Sequence, residues 1–175
     1  HSSCRALCDH RRNLTDDQIR ALVSRGGVIG INFYGEFVAD PPTLASVVDH
    51  IRHALEVAGE DYVALGPDYV WDYYQTTDPR RMVDPGFTKW MPPGLRHPEE
   101  LPALLDLLVH AVGTDVAGKV AGGNALRVLR EVGAVDVREE GRRRVYRLNG
   151  RALKPIHDWV KSYERSWSER FDRID

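Results

Sequence analysis

The chain is poor in cysteine and contains no long apolar run. Its 175 residues include two cysteines, Cys4 and Cys8. Two thiols with no Cys or His motif around them exclude a disulfide framework, and we expect both to be ordinary free thiols. No apolar run reaches the roughly 18 residues that a membrane-spanning helix needs, so we expect no membrane span and a cytoplasmic location. Methionine is also absent from position 1, and we expect further residues to precede His1 in the intact protein.

Charge is distributed unevenly along the chain. Residues 1–132 carry 13 Lys and Arg against 18 Asp and Glu, whereas residues 133–175 carry 11 against 8. The formal net charge of −2 therefore combines an acidic and a basic segment. A shift of this kind predicts two parts with different origins, 1–132 and 133–175.

The first part alternates helices with short apolar strands. A helix is expected to begin at Thr15, which can accept hydrogen bonds from the first turn, and to end at Gly26. A strand over 28–34, a helix over 43–58 and a strand over 62–66 follow. Helices that alternate with buried strands predict an α/β fold with a parallel sheet.

The rest of this part is less regular. Residues 67–98 lack periodicity and predict a long loop that is either functional or covers another part of the domain. Helices are expected over 99–112 and 115–131, the latter interrupted at Gly122. His50 and His53 share one helix, but the core residues are expected on its opposite face and no carboxylate completes a site, which argues against a metal there.

Four blocks of this part closely resemble the membrane (renal) dipeptidase family of metallopeptidases. They match in order and cover about residues 1–132. The blocks are HSSCRALCDHRRNLTDDQIRALVSRGGVIGINFY, LASVVDHIRHALEVAGEDYVALGPDY, PPGLRHPEELPALL and GGNALRVLREV. The resemblance implies a (β/α)8 barrel with a binuclear zinc centre at the carboxyl ends of its strands, of which this chain is the C-terminal portion.

The same resemblance implies roles for three residues. His1 would be a zinc ligand at the end of the sixth strand. Arg12 would bind the C-terminal carboxylate of a dipeptide substrate through its guanidinium fork. Asp68 would be the catalytic residue that lies beside the metal-bound water and the substrate's amino group. Without the resemblance, the alternatives are a solvated histidine, a surface arginine and a loop-capping aspartate.

The chain departs from the family pattern at two points. The last strand reads GPDYVWD, where the family commonly has Gly-Ser-Asp-Phe-Asp-Gly, so the first Asp alone is kept. The family's His-x-Asp pair, bridging Glu and second metal-binding His all lie upstream of the matched region and are absent here. We therefore expect a C-terminal fragment that is inactive alone, because one ligand cannot hold two zinc ions.

The second part, 133–175, resembles the C-terminal part of ArsR-type winged-helix regulators. AVDVREEGRRRVYRL predicts a β-hairpin with a turn at Glu140 and Gly141, and Asn149 is expected to cap a terminal helix over 151–174. The resemblance implies a DNA-binding wing and a helix that forms a homodimer. The wing arginines that would contact DNA are Arg142, Arg143 and Arg144, with Arg138 and Arg147 beside them.

Three hypotheses follow from the sequence. The first is a zinc dipeptidase in which a metal-bound water attacks the peptide carbonyl. The second is a winged-helix transcriptional regulator, although Ala121-Gly-Gly-Asn is a poor start for a helix that reads bases. The third is an interaction module with neither activity. The basic hairpin would then be a solvated edge that resists strand pairing.

Overall fold

This computed structural model of the protein describes residues 1–69, 76–77, 90–141 and 143–171, without the side chains of 156 and 162–171. The chain divides into two compact units, His1–Ala125 and Leu126–Asp175. The boundary predicted from the sequence follows Val132, seven residues after the boundary between these two units. Most of the long predicted loop, 67–98, lies outside the described residues.

Two capped helices flank the first strand. Helix α1 spans Asp16–Val23 and helix α2 spans Leu44–Ala58. Each begins after a threonine whose side chain accepts a hydrogen bond from the backbone three residues on, while that later side chain bonds back to the threonine N–H. These reciprocal bonds satisfy N–H groups that have no partner within the helix. The two predicted helix starts are therefore confirmed.

The strands of the first unit are parallel and short. Strand β1 spans Ile29–Ile31 and strand β2 spans Val63–Leu65, with Ile29 opposite Val63. The extended N-terminal residues run alongside β1, because the Ser2 N–H donates to the Gly30 carbonyl at 2.8 Å and the Ser2 carbonyl accepts from Asn32 at 3.2 Å. Both strands are shorter than predicted because the ladder pairing covers three residues. The α/β prediction is confirmed.

The remaining helices of this unit follow the predicted break. A 3-10 turn at Pro98–Glu100 leads into α3, Leu101–Val112. Helix α4, Thr114–Gly118, is followed by a π-helical segment and by α5, Asn124–Glu131, and the boundary between the two units falls after Ala125. Gly122 has a non-helical backbone, so the break predicted there is present.

The core of the first unit forms between the strands and the helices. Helix α2 packs against α1, α3 and both strands. The largest buried apolar side chains are Phe33, Ile19, Ile31, Ile51, Met91, Leu95, Leu104 and Leu108. In the described part of the chain, no helix is long and apolar enough to cross a membrane.

The second unit consists of a hairpin and a helix. Strands β3, Val135–Glu140, and β4, Arg143–Leu148, pair antiparallel around Gly141, which has φ 62°. Helix α6 spans Gly150–Phe171 and is capped by the predicted Asn149, whose side-chain oxygen accepts from the Arg151 N–H at 3.2 Å. Among the described side chains of this unit, Ala134 alone is a buried apolar residue.

Candidate functional site

His1 and Asp68 meet beside the carboxyl ends of β1 and β2. Nε2 of His1 lies 3.4 Å from Oδ2 of Asp68, and their side chains are 47% and 37% exposed. An imidazole and a carboxylate at this distance form an ion pair when the imidazole is protonated. Because both groups reach solvent, they are accessible to a ligand.

Close packing under His1 depends on glycine. A Cβ atom on Gly66 would lie 2.9 Å from the Cβ of His1 and 2.9 Å from the Gly30 carbonyl oxygen. These contacts are too short for any side chain, since the Gly30 oxygen belongs to the neighbouring strand. Gly66 therefore allows His1 to lie against the end of β2.

The backbone of Asp68 is in an unusual conformation. Its φ of 55° is the one positive φ of a non-glycine residue among the described residues. This left-handed conformation costs about 1 kcal/mol or more in a non-glycine residue, although aspartate tolerates it better than most. The buried Asn32, directly after β1, donates from Nδ2 to the Asp68 Oδ2 at 3.2 Å. The side-chain amide of Asn32 thus holds the Asp68 carboxylate by a hydrogen bond.

Arg12 lies on the loop that follows the N-terminal segment. Its guanidinium carbon stands 5.5 Å from the centre of the Phe37 ring, a cation–π contact on an exposed side chain. The Arg12 carbonyl accepts a hydrogen bond from the Ser2 hydroxyl at 2.8 Å. This bond ties the Arg12 backbone to the residue after His1, whereas among the described residues the Arg12 guanidinium is not hydrogen-bonded to His1 or Asp68.

The buried Asn13 holds the same loop from its inner side. Its Nδ2 donates to the Cys8 carbonyl at 2.9 Å and to the Phe37 carbonyl at 2.8 Å. The Asn13 side chain therefore connects the loop that carries Arg12 to the backbone of Phe37, whose ring contacts the Arg12 guanidinium. Tyr34 extends this aromatic surface, with ring centroids 4.7 Å from Phe37.

His50 is part of the core, so the expectation that it faces away from the core residues is wrong. Its side chain is 1% exposed, and its Nδ1 accepts from the Cys4 N–H at 3.0 Å. The other ring nitrogen lies 2.9 Å from the Val38 carbonyl and must donate to it. Burial lowers the pKa of His50, with a smaller contribution from His53 in the same direction. His53 instead contacts Asp16 at 2.8 Å, so the two histidines have separate structural roles.

The described residues do not by themselves form a zinc site. No group of three or more His, Cys, Asp or Glu side chains able to hold a metal occurs among them. Zinc takes three or four protein ligands, and His1 with Asp68 offers two donors at most. Both cysteines are free, as predicted, and burial raises the pKa of the Cys4 thiol to about 12. The prediction that His1 binds a metal stays a prediction.

The hairpin arginines Arg143 and Arg144 stand opposite acidic residues. In the β3–β4 register, Arg144 stands opposite Glu139 and Arg143 opposite Glu140. The Arg144 Nε is 3.8 Å from the Glu139 carboxylate. Arg142 lies outside the described residues. These pairings reduce the positive potential that phosphate contacts require, and DNA binding by Arg142, Arg143 and Arg144 stays a prediction.

Sequence reasoning did not single out Asn13, Asn32 or Phe37. The available signal for Asn32 was its place in INFY, where an amide follows a buried strand at the edge that carries the site. Asn13 and Phe37 had no comparable signal, because their role depends on a contact across 24 residues of chain.

Comparisons with known proteins relate this chain to dipeptidases. Residues 1–78 match the sequence model of the membrane dipeptidase family, peptidase family M19. The chain is 38% identical over 141 residues to an uncharacterized protein in the pqqA 5′ region of Klebsiella pneumoniae, covering 75% of this chain and 45% of that protein. It is 35% identical over 137 residues to dipeptidase aclJ of Aspergillus oryzae, covering 75% of this chain and 29% of that protein. The chain thus spans less than half the length of these curated relatives.

Solved structures show the same relationship. An amidohydrolase from Pseudomonas aeruginosa superimposes with a TM-score of 0.60 at 26% identity, covering 74% of this chain and 43% of that one. A metallopeptidase from Rhodobacter sphaeroides, bound to a phosphinate mimic of the dipeptide L-Ala-D-Ala, gives 0.60 at 24% identity, covering 74% and 34%. The latter likeness concerns the fold alone. The predicted resemblance to metallo-dipeptidases is confirmed, whereas the resemblance of 133–175 to a winged-helix regulator stays a prediction.

Proposed function

We propose that residues 1–132 are the C-terminal portion of a (β/α)8-barrel dipeptidase and supply part of its active face. The observation that carries this proposal is the approach of His1 to Asp68, 3.4 Å apart at the end of adjacent parallel segments. The family match over residues 1–78 includes both side chains. Active sites of barrels of this type lie at the carboxyl ends of the strands, where these residues meet.

Each of the three residues then has a chemical task. The Arg12 guanidinium binds the C-terminal carboxylate of a dipeptide, and its contact with Phe37 holds it over an aromatic surface. The Asp68 carboxylate binds the ammonium group of the dipeptide or accepts a proton near it. Among the residues that the structure describes, His1 would serve as a zinc ligand, and further ligands would be needed to complete the site. Zinc, when bound, would polarise the peptide carbonyl and acidify a water molecule.

Blocked dipeptides separate the contributions of Arg12 and Asp68. The probes are L-Ala-D-Ala, its C-terminal amide and its N-acetyl derivative, each titrated into the protein and followed by NMR. One charged contact at a solvent-exposed site is worth about 1 kcal/mol, or roughly fivefold in Kd. We expect the amide and the N-acetyl derivative each to bind roughly fivefold more weakly than L-Ala-D-Ala.

Substitutions assign each preference to a side chain. Arg12→Gln should abolish the preference for a free carboxylate, whereas the neighbouring exposed Arg11→Gln should keep it. Asp68→Asn should abolish the preference for a free ammonium group, and Asp49→Asn on the exposed face of α2 should not. Equal binding of all three probes to the unmodified protein, or loss of preference in the control variants, would overturn the proposal.

We also propose that a second copy of the chain covers helix α6. Trp159 is 61% and Val160 43% exposed, and among the described side chains of the second unit Ala134 is the buried apolar residue. The sequence of α6 has apolar residues at heptad-like spacing, which a second copy would match. Trp159→Glu should convert a dimer to a monomer in analytical ultracentrifugation, and Arg151→Glu on the same helix should leave the dimer intact. A monomeric parent protein would refute this pairing.

A further inference from the structure

Asn32 forms hydrogen bonds at the candidate site through both its backbone and its side chain. It is 1% exposed, and burial of a polar group is costly unless each of its atoms has a partner. Its backbone N–H donates to the Ser2 carbonyl at 3.2 Å, and its carbonyl accepts from the Ser3 hydroxyl at 3.3 Å. Its side chain bonds to Tyr34 and Asp68. One residue thus links the segment that carries His1 to the residue that follows β2.

The orientation of the Asn32 amide is fixed by its neighbours. Its Oδ1 accepts the Tyr34 backbone N–H at 2.6 Å, and a backbone N–H can only donate. The amide nitrogen must therefore point the other way, where it meets the Asp68 Oδ2 at 3.2 Å. The direction of this hydrogen bond is dictated by the backbone of the turn after β1, independent of any ligand.

The same carboxylate oxygen meets two groups. Oδ2 of Asp68 lies 3.2 Å from the Asn32 amide and 3.4 Å from the His1 imidazole. Oδ2 of Asp68 is thus held between an amide and an imidazole. The backbone of Asp68 meanwhile holds a positive φ of 55°, a conformation that persists where surrounding contacts fix it.

We propose that Asn32 is a positioning residue that holds Asp68 in its left-handed conformation and keeps its carboxylate beside His1. The consequence for substrate recognition rests on the proposed dipeptidase function, whereas the geometric claim does not. Asn32 itself is buried and touches no substrate; it acts through Asp68.

The geometric claim is tested without a ligand. The strong intraresidue Hα–HN NOE that a positive φ produces at Asp68 is measured in Asn32→Leu and in Asn124→Leu. Asn124 is a matched control, because it is 3% exposed and its amide donates to the Glu60 and Val63 carbonyls at 2.7 Å, at the opposite end of β2. We expect the NOE to weaken in Asn32→Leu and to persist in Asn124→Leu. Should Asn32→Leu fail to fold, Asn32→Asp preserves the shape and the acceptor for Tyr34 while removing the donor.

The dipeptide probes complete the test. Asn32→Leu should lose the roughly fivefold preference for L-Ala-D-Ala over its N-acetyl derivative, yet keep the preference over the amide that depends on Arg12. An unchanged Asp68 NOE in the Asn32 variants would overturn the positioning role, whatever the protein binds. A weakened NOE in a protein that binds none of the probes would support the positioning role and refute the dipeptidase proposal.

Discussion

Replacing His50 by leucine should destabilise the first unit far more than any comparable change at His53. His50 is buried, and its ring satisfies the Cys4 N–H at 3.0 Å and the Val38 carbonyl at 2.9 Å. Leucine fills a similar volume but leaves both backbone groups without partners. These groups tie the N-terminal segment and the turn after β1 to helix α2, so His50 fastens the site-bearing end of the chain to the core.

The magnitude follows from the two backbone groups. A buried donor or acceptor left unpaired costs about 1–3 kcal/mol, and the added apolar contact of leucine offsets part of the sum. We expect the free energy of unfolding to fall by about 2–4 kcal/mol, a large share of the roughly 5–15 kcal/mol of a typical domain. His53 is partly exposed and contacts one partner, Asp16, so His53→Leu should cost about 1 kcal/mol or less.

The pH dependence provides an independent signature of the same residue. The pKa of His50 is lowered from its ordinary value of 6.5, first by burial, so the unfolded chain binds a proton at a higher pH than the native protein does. The stability that neutral His50 contributes is therefore fully present above about pH 6.5, and it is lost as the pH falls towards the pKa of His50 in the native protein. The slope contributed by this residue approaches about 1.4 kcal/mol per pH unit and should disappear in His50→Leu.

Urea unfolding followed by circular dichroism between pH 5 and 8 measures both quantities. The comparison is between the parent protein, His50→Leu and His53→Leu. A loss below about 1 kcal/mol in His50→Leu at pH 7.5, equal to that of His53→Leu, would refute the buried hydrogen-bonding role. So would a pH slope that survives in His50→Leu but vanishes in His53→Leu.

Three further predictions concern the strand end, the thiols and the helix caps. Gly66→Ala should lower the free energy of unfolding by about 1–3 kcal/mol in urea unfolding, because its Cβ would contact the Gly30 oxygen at 2.9 Å, whereas Gly118→Ala, with open space around it, should not destabilise. Cys8 should react with iodoacetamide long before Cys4, as detected by mass spectrometry, since Cys4 is fully buried and its pKa is about 12; equal rates would contradict the burial of Cys4. Thr43→Ala should lower the free energy of unfolding by about 1 kcal/mol in thermal melts through loss of the cap on α2, while Thr114→Ala, at the first residue of α4 and not at its N-cap, should cost less.

Local signals in the sequence predicted most of the first unit. Thr15 starts a helix because a short hydroxyl side chain can bond to the first turn, and that chemistry needs no distant partner. Thr43 was predicted as the first residue of its helix, and the structure shows it as the cap of α2. The interruption predicted at Gly122 within the helix over 115–131 is also present. The strands were harder to bound, because the length of a strand depends on how far its partner runs alongside, and Ile31 and Leu65 mark that limit.

The candidate site was predictable where a family pattern carried it, and unpredictable where it depended on contacts between distant segments. The resemblance pointed to His1 and Asp68, which the fold brings to 3.4 Å. The hydrogen bond between Asn32 and Asp68 links residues that are 36 positions apart in the chain. The periodicity of apolar residues along the sequence does not reveal such a long-range pair. His50 was misplaced on its helix for the same reason, since its burial follows from partners at Cys4 and Val38.

The most direct test of the central claim is an NMR map of where L-Ala-D-Ala binds on the isotope-labelled protein. The account predicts that the backbone amide signals of Arg12, Asn32 and Asp68 and the imidazole signals of His1 shift together and saturate with one Kd, while those of the hairpin do not move. Shifts confined to other surfaces, or none at millimolar dipeptide, would contradict the proposal that this part of the chain recognises dipeptides.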